Sequence, residues 1–561
     1  MKKKYIITAA FPYTNGYIHI GHLSGVFIPA DIYSRYLRSI KKKIIFISGS
    51  DEYGTSILIK SLKEKKNKKK LIDKYHFYIK KYLSKFNISL DNYYRTSDKL
   101  HHNLSKKIFK KLFFKNFFIK KKKYQYYDNY YKLFLADKYI KGTCPYCKNN
   151  DSLYNQCYKC GKIIKKYELL NPISILSKKK PILKLTYNFY ISFEKNKKII
   201  KNIINNFKKR KVKKNVINTM ISFLKKNLLE ERSITRDLNW GIKLPIKKNK
   251  KFKKKVLYVW FESLIGYLSC TIDWAKKNNK KWQKYWKNKN NILINFIGKD
   301  NIIFHSILLP IIYKNFNKKL IIPYNIPANE FLNFKKKKIS KSKSKKNNIY
   351  LHDFLKFFPK MQDSLRYSLI MDMPEKKDTN FTWEKFVLYN NSILVGILGN
   401  FLNRVIIFIN KYFNNKIPKP KKIEKEDLIF LKKIKKYPIK ICKLIKKFKF
   451  RLSLCKFIEL SRLGNKYLSD KKPWDFKKKN INKIKKVIYI SSQIMGIITH
   501  ISYIFLPRTN KKLLNILNIK KCNINNLLKL KVILPFNHKI KKAKLLFKKI
   551  IILKKNDKKK I

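Results

Sequence analysis

Two histidines three residues apart, His19 and His22, sit in the segment YIITAAFPYTNGYIHIGH, where an apolar run gives way to turn formers and then to a stretch with helical periodicity reaching about Arg38. The first turn of a helix leaves backbone N–H groups unpaired and carries partial positive charge, so a strand, a turn and a helix start in succession make a place for phosphate. Imidazoles at i and i+3 face the same side of such a turn, and Gly21 between them lets a ligand approach the backbone closely. The alternative is an ordinary strand–helix unit carrying two incidental histidines. A second group is Cys144-Pro-Tyr-Cys147 and Cys157-Tyr-Lys-Cys160, two C-x2-C pairs separated by nine residues. A short hairpin between them can place four thiolates tetrahedrally, which suits one zinc ion, although the gap is shorter than in many zinc ribbons. Thiolate would fill every position, so the metal would be structural and not a Lewis acid. A third group is Lys338-Ile339-Ser340-Lys341-Ser342, inside a Lys/Ser-rich segment that reads as a mobile loop.

The elements that must position these groups alternate between strand and helix over residues 5 to about 112. Tyr5 to Phe11 is a β-branched and aromatic run that reads as a buried strand. Ile44 to Ser48 is a second, with GSDEYGT at its carboxyl end, where open parallel sheets bind ligands. Asp51 there can meet a substrate amine or cap the following helix. From about Phe113 the alternation breaks into an insertion that holds the cysteines, and it returns near Ser233. Val256 to Phe261 and Ile292 to Asp300 read as further strands, placing Trp260, Tyr267 and His305 at or near strand carboxyl ends, either as core or as pocket wall. Gly298 and Asp300 resemble a ribose-binding turn. After about Trp383 the pattern is helical to the end and suggests a bundle. Val487 to Pro507 is uncharged and long enough to span a membrane, but its Ser491, Ser492, Gln493, His500 and Ser502 favour a buried bundle helix. The basic tail from Lys541 either folds back or frays.

A chain of 561 residues, 45% hydrophobic, can form several domains with real cores. The net charge of +103 points to a polyanionic partner or to compositional drift toward lysine, and it does not locate a nucleic-acid site. Eight cysteines, four of them clustered, fit a reducing compartment, and the amino terminus lacks the pattern of a signal peptide. The expectation is a cytoplasmic protein with no membrane partner.

HIGH at 19–22 and KISKS at 338–342 resemble the two signature motifs of class I aminoacyl-tRNA synthetases. AAFPYTNGYIHIGH, FISGSDEYGT, GTCPYCKNND with CYKCG, YVWFESLIGY, FIGKDNIIFHS, DSLRY, FTWEKF, GNFLNR and KKPW together resemble the methionyl-tRNA synthetases over nearly the whole chain. The resemblance implies an α/β fold: a Rossmann-type parallel-sheet catalytic domain in two halves, 1–112 and 233–325, split by a zinc-knuckle insertion at 113–232. A stem-contact segment with the KMSKS-like loop (326–386) and an all-α anticodon-binding domain (387–561) follow. It implies a ligase that activates methionine with ATP and transfers methionyl to the terminal adenosine of tRNA(Met). His19, His22, Lys338 and Lys341 would be catalytic, with Tyr13, Asn15, Gly21, Gly298, Asp300 and Lys341 on ATP, which brings Mg2+. L-methionine would lie among Ala10, Phe11, Tyr13, Asp51, Arg236, Trp260, Tyr267 and His305, with Arg236 paired to Asp51. An aromatic pocket suits a thioether independently of the resemblance. Asn400, Arg404 and Trp474 would read the anticodon, by edge contacts and stacking. The chain departs from the family at Glu262-Ser263-Leu264, usually Asp-Ala-Pro, and at Leu309. It ends after the bundle, so a monomer is expected. Other class I synthetases carry a large editing insertion or an active-site cysteine, neither of which fits. A basic RNA-binding protein with a dead nucleotide site is the reading from a different class.

Overall fold

The structure is a computed structural model that describes residues 3–135, 139–154, 157, 159–160, 164, 168–225, 231–246, 252, 255–334, 337–338, 348–475, 480–520, 524–529 and 532–551. At its centre is a five-stranded sheet built from β1 (Lys4–Ala9), β2 (Lys43–Ser50), β3 (Asn92–Arg95), β4 (Ile292–Gly298) and β5 (Ala328–Asn329). The order is β5-β4-β1-β2-β3 and every pairing is parallel. Ile6, Ile7, Ile45, Phe46, Leu293 and Phe296 are wholly buried, as expected of strands covered on both faces. The chain leaves β1 toward β2 on one side and later adds β4 on the other. The crevice at their carboxyl ends is therefore a topological switch point, where ligands bind in such sheets.

Two helical runs flank that crevice in the same way. β1 feeds Ile20–His22, a π-turn at Leu23–Phe27 and a helix at Ile28–Ser39. After β4 come a 3-10 turn at Lys299–Asn301, a π-turn at Phe304–Leu308 and a helix at Leu309–Phe316. Such π-turns re-aim side chains and recur at functional sites. The segment expected as a strand from Val256 to Phe261 is different: only Val256–Leu257 is extended, and a helix runs Val259–Lys277. A short apolar run is ambiguous between strand and buried helix, and here all of Val259–Phe261 is buried against core on every side.

The insertion is an antiparallel pairing of Phe118–Asp128 with Ile182–Ile191, beside a small sheet of Ile140–Thr143, Ser152–Leu153 and Leu170–Ser174 that bears the cysteines. Further on, Leu332–Phe334 pairs antiparallel with Lys337–Lys338 and parallel with Thr379–Phe381. The carboxyl-terminal helices pack into one core continuous with that of the sheet, running from Ile28 through Leu369 to Ile501. Two helices, Trp383–Tyr412 and Ile481–Phe505, are long and apolar enough to cross a bilayer. In the second, 94% of the apolar window is buried inside the protein, so this is the bundle helix anticipated from its polar residues. The tail folds back, with Asn390 and Asn391 donating to the carbonyls of Lys548 and Ile550 at 2.9 and 2.8 Å.

One buried ionic joint ties the site helix to the bundle. Asp31, fully buried, accepts from Arg35 Nε at 2.8 Å, from Ser89 N and Oγ at 2.8 and 2.6 Å, and from Arg366 Nη2. Arg366 Nε donates to the carbonyl of Phe505 at 2.7 Å. Burial pushes the Asp31 carboxyl upward, but the two guanidiniums and the Ser89 bonds outweigh it and hold the group at about 2.

Candidate active site

A cavity of about 620 Å³ opens at the carboxyl ends of β1, β2 and β4. Residues 10–15 leave β1 as a turn and contribute Ala10, Phe11, Tyr13 and Asn15 to its wall; the following helix start contributes His19, Gly21 and His22. Asp51 comes from the end of β2, Trp260 and Tyr267 from the helix Val259–Lys277, and Gly298, Asp300 and His305 from the segment after β4. Trp260 and Tyr267 are thus two turns apart on one helix face, and not at strand ends as the sequence suggested. Residues nearly 300 positions apart in the chain meet here.

The helix that Asp51 could have capped takes a different residue as its cap. The Asp51 N–H donates to the Pro12 carbonyl and its own carbonyl accepts from Thr14 N, both at 3.0 Å, so it is sewn to the turn after β1. The next helix, Thr55–Lys63, takes Gly54 as its N-cap, at φ +94°, leaving the Asp51 carboxylate at the cavity wall and only 3% exposed. The His19 and His22 rings, also in the lining, are 3.9 Å apart, and His19 N donates to His22 Nδ1 at 3.4 Å. With Nδ1 accepting from the His19 backbone, a ring proton of His22 sits on Nε2. The cavity lining therefore includes a carboxylate, a group that suits an amine, and two imidazoles, groups that suit phosphate.

The lining also has an aromatic group with a defined tautomer. His305 Nδ1–H donates to the Asn301 carbonyl at 3.0 Å, and its Nε2 accepts from the Tyr267 hydroxyl at 2.7 Å. Burial lowers the His305 imidazole to about 4, so it is neutral at physiological pH. Phe11 meets Tyr267 edge-on at 5.0 Å, and Trp260 Nε1 is anchored on the Ser233 carbonyl at 3.0 Å. The surface offered is apolar, polarisable and uncharged. Of the departures noted in the sequence, Ser263 and Leu264 line the cavity. Glu262 instead turns into the core, with Oε2 2.7 Å from His101 Nε2, and Leu309 is fully buried.

Arg236 stands apart from this arrangement. Expected as the partner of Asp51, its guanidinium packs over the Tyr258 ring at 4.0 Å and donates to the Thr235 carbonyl at 3.1 Å. The short strand Thr235–Arg236, paired with Val256–Leu257, sets it beside Tyr258, which in turn lines the cavity. Sequence reasoning missed Glu330, Phe331 and Leu332, which also line it. Glu330 is held by Asn215 Nδ2 at 3.0 Å and Lys299 Nζ at 2.8 Å. Their one signal was the apolar block preceding the lysine-rich loop.

Residues 339–347, with Lys341, and the side chain of Lys338 lie outside the described residues. The two ends of that loop are described, and both are at the site. Lys338 pairs with Asn333 beside the cavity-lining Leu332. Beyond the loop, Ile20 N donates to the Ile349 carbonyl at 3.1 Å and Leu351 N to the Ile18 carbonyl at 3.2 Å, bracketing His19.

Two further groups lie away from the cavity. The four cysteine sulfurs lie within 4.8 Å of one another, with Cys144–Cys160 at 3.9 Å and Cys147–Cys157 at 3.6 Å. Bonds of ~2.3 Å to a tetrahedral zinc put sulfurs about 3.8 Å apart, so the cluster fits a metal ion. In the helical region Arg404 lies over the Trp474 ring at 4.7 Å. Asn400 is exposed one turn before Arg404, and Trp474 is 45% exposed.

A family model described as tRNA synthetases class I (M) matches residues 5–406. Another, described as the anticodon binding domain of methionyl tRNA ligase, matches 417–560. The chain is 42% identical over 549 residues to a methionine–tRNA ligase of Flavobacterium psychrophilum, covering 98% of this chain and 79% of that one. It is 40% identical over 548 residues to the enzyme of that name from Bacteroides fragilis, with the same coverage. In fold it is similar to a Mycobacterium tuberculosis methionyl-tRNA synthetase in complex with methionyl-adenylate, at a TM-score of 0.78 and 19% identity, covering 98% of this chain and all of that one.

Proposed function

The chain belongs to the methionyl-tRNA synthetases of class I, and from that premise we propose how its residues carry the reaction. The reaction itself is the ATP-dependent joining of methionine to tRNA for translation. Methionine is activated to methionyl-adenylate with release of pyrophosphate, and the methionyl group then passes to tRNA. In the activation step the methionine carboxylate attacks the α-phosphorus of ATP in line with the departing pyrophosphate. No protein nucleophile is needed; the work is positioning and charge neutralisation.

Asp51 holds the methionine ammonium. The thioether lies against Phe11, Trp260, Tyr267 and His305, with Ala10 and Tyr13 closing the pocket. ATP lies with its phosphates on Gly21, His19 and His22, its ribose toward Gly298 and Asp300, and with Tyr13 and Asn15 beside it. Lys338 and Lys341 reach the pyrophosphate from the loop whose ends bracket the cavity. Arg236 acts one layer out, by fixing Tyr258. Magnesium enters with ATP and supplies further positive charge to the phosphates. The two halves 1–112 and 233–325 form the catalytic domain, 113–232 is the zinc-bearing insertion, 326–386 contacts the acceptor stem, and 387–561 binds the anticodon of tRNA(Met) through Asn400, Arg404 and Trp474. A cytoplasmic setting agrees with four clustered thiolates kept reduced.

The observation that carries this assignment is one cavity lined by both Asp51 and the two imidazoles, His19 and His22. The test is ATP–pyrophosphate exchange across the twenty amino acids, followed by charging of tRNA. Exchange confined to methionine is the expected result; exchange with a different amino acid, or with none, overturns the assignment.

Two predictions follow from the geometry. Because His305 stays neutral down to about pH 4, the Kd for methionine, read by tryptophan fluorescence, is flat from pH 7.5 to pH 5 as far as this group is concerned. An inflection near 6.5, the free-imidazole value, would mean that His305 is protonated in the binding range. Zinc bound by the knuckle orders the small sheet and takes no part in chemistry. Cys144→Ser, at a wholly buried ligand, therefore lowers tightly bound zinc from one ion per chain to near zero and exposes residues 139–174 to protease. Cys455→Ser retains the ion. Retention of a full equivalent in Cys144→Ser would place the metal elsewhere.

A further inference from the structure

The depth of the amino-acid pocket is set from behind. Phe11 lines the cavity. Two glycines from different elements lie against the same ring. A Cβ placed on Gly266 would lie 2.8 Å from Phe11 Cε2, and one placed on Gly49 would lie 2.7 and 2.9 Å from Phe11 Cε2 and Cζ. All three distances are well inside van der Waals contact. Tyr267, the residue after Gly266, meets the same ring edge-on at 5.0 Å and is itself locked onto His305. The ring is thus packed against β2 and against the helix Val259–Lys277 while it lines the cavity.

We propose that Gly266, through the ring of Phe11, determines which amino-acid side-chain lengths the enzyme accepts. The inference rests on the methionine-pocket reading above and adds to it a residue that touches no substrate. Gly266 is a positioning residue in the interior of the helix Val259–Lys277. Alanine suits such a backbone better than glycine, so the substitution strengthens the helix while its methyl group drives the ring toward the ligand. Gly49 is the less useful probe. A Cβ there would also lie 2.5 Å from the Tyr94 carbonyl oxygen in the neighbouring strand, so Gly49→Ala disturbs the sheet and every substrate alike.

The experiment measures exchange kinetics of wild type and Gly266→Ala with methionine, with ethionine (one methylene longer) and with S-methylcysteine (one shorter). One methylene in an apolar pocket is worth a discrimination of ~10–200-fold. For Gly266→Ala, kcat/KM for methionine falls about 10–100-fold, mainly through KM, ethionine falls further, and S-methylcysteine changes by less than about threefold. The KM for ATP stays as in wild type. Phe11→Leu added to Gly266→Ala removes the crowded ring atoms and restores methionine. Equal losses for all three amino acids, a parallel rise in the KM for ATP, or no recovery in the double variant would each overturn the proposal. A wild-type protein that fails to activate methionine at all would instead refute the function proposed above.

Discussion

Replacing His22 by alanine lowers methionine-dependent pyrophosphate exchange by about 100- to 1000-fold, with the Kd for methionine unchanged. The step places new negative charge on the phosphates as the α-phosphorus is attacked and pyrophosphate departs. A donor aimed at charge that develops only in the transition state is worth ~3–4 kcal/mol in a site shielded from water. His22 is given that role because it lines the cavity and its Nδ1 accepts from the backbone of His19, which puts a ring proton on Nε2. Lys341→Ala produces a loss of the same order by removing a full charge. Single-turnover formation of methionyl-adenylate separates this from slower transfer to tRNA. Should either variant form the adenylate at the wild-type rate, the assignment of phosphate binding to these two stretches fails. A fall in kcat/KM produced entirely by weaker methionine binding would sink it equally.

Arg366→Ala destabilises the protein by about 3–5 kcal/mol, read as a shift in the urea midpoint. The cost arises because the substitution leaves Asp31 charged and fully buried with one guanidinium in place of two, and leaves the Phe505 carbonyl without its donor. Arg366→Lys recovers only part of the loss, since an ammonium cannot reproduce two separated contacts with one planar fork. The pH dependence has a definite sign. Asp31 titrates at about 2 in the folded chain, against ~3.9 when unfolded. The joint's contribution is therefore complete above about pH 4 and is lost as pH falls from there toward 2. In Arg366→Ala the acid limb moves to higher pH. A change below about 1 kcal/mol would show that Arg35 and Ser89 alone satisfy Asp31. The joint matters to function through placement: Asp31 lies on the helical run that begins with His19 to His22, and Phe505 ends the bundle helix Ile481–Phe505.

Other features of the site divide between what neighbouring residues dictate and what distant ones decide. The turn PYTNG and the histidines after it were legible, because a strand, a tight turn and a helix start need only the local succession of residue types. The four cysteines were legible for the same reason, since two C-x2-C pairs and a short hairpin bring their own geometry. The buried helix Ile481–Phe505 could be told from a membrane span by its serines, glutamine and histidine, which need polar partners in the core. Asp51 was not decided by sequence, because an acid after a strand serves equally as cap or ligand. Gly54 took the cap in the folded chain.

What the sequence by itself determined is structure that forms over a few residues, namely a strand, turn and helix start carrying two histidines and a cluster of four cysteines, together with the order of sheet, insertion and bundle. Only the tertiary structure decided that Trp260 and Tyr267 share a helix face, that Glu262 turns to His101 and not to the cavity, that Arg236 lies on Tyr258, and that Gly266 backs Phe11. Each of these depends on helix phase and on the order in which strands join the sheet. Those follow from the summed packing of residues hundreds of positions apart, and a short apolar run carries no record of them.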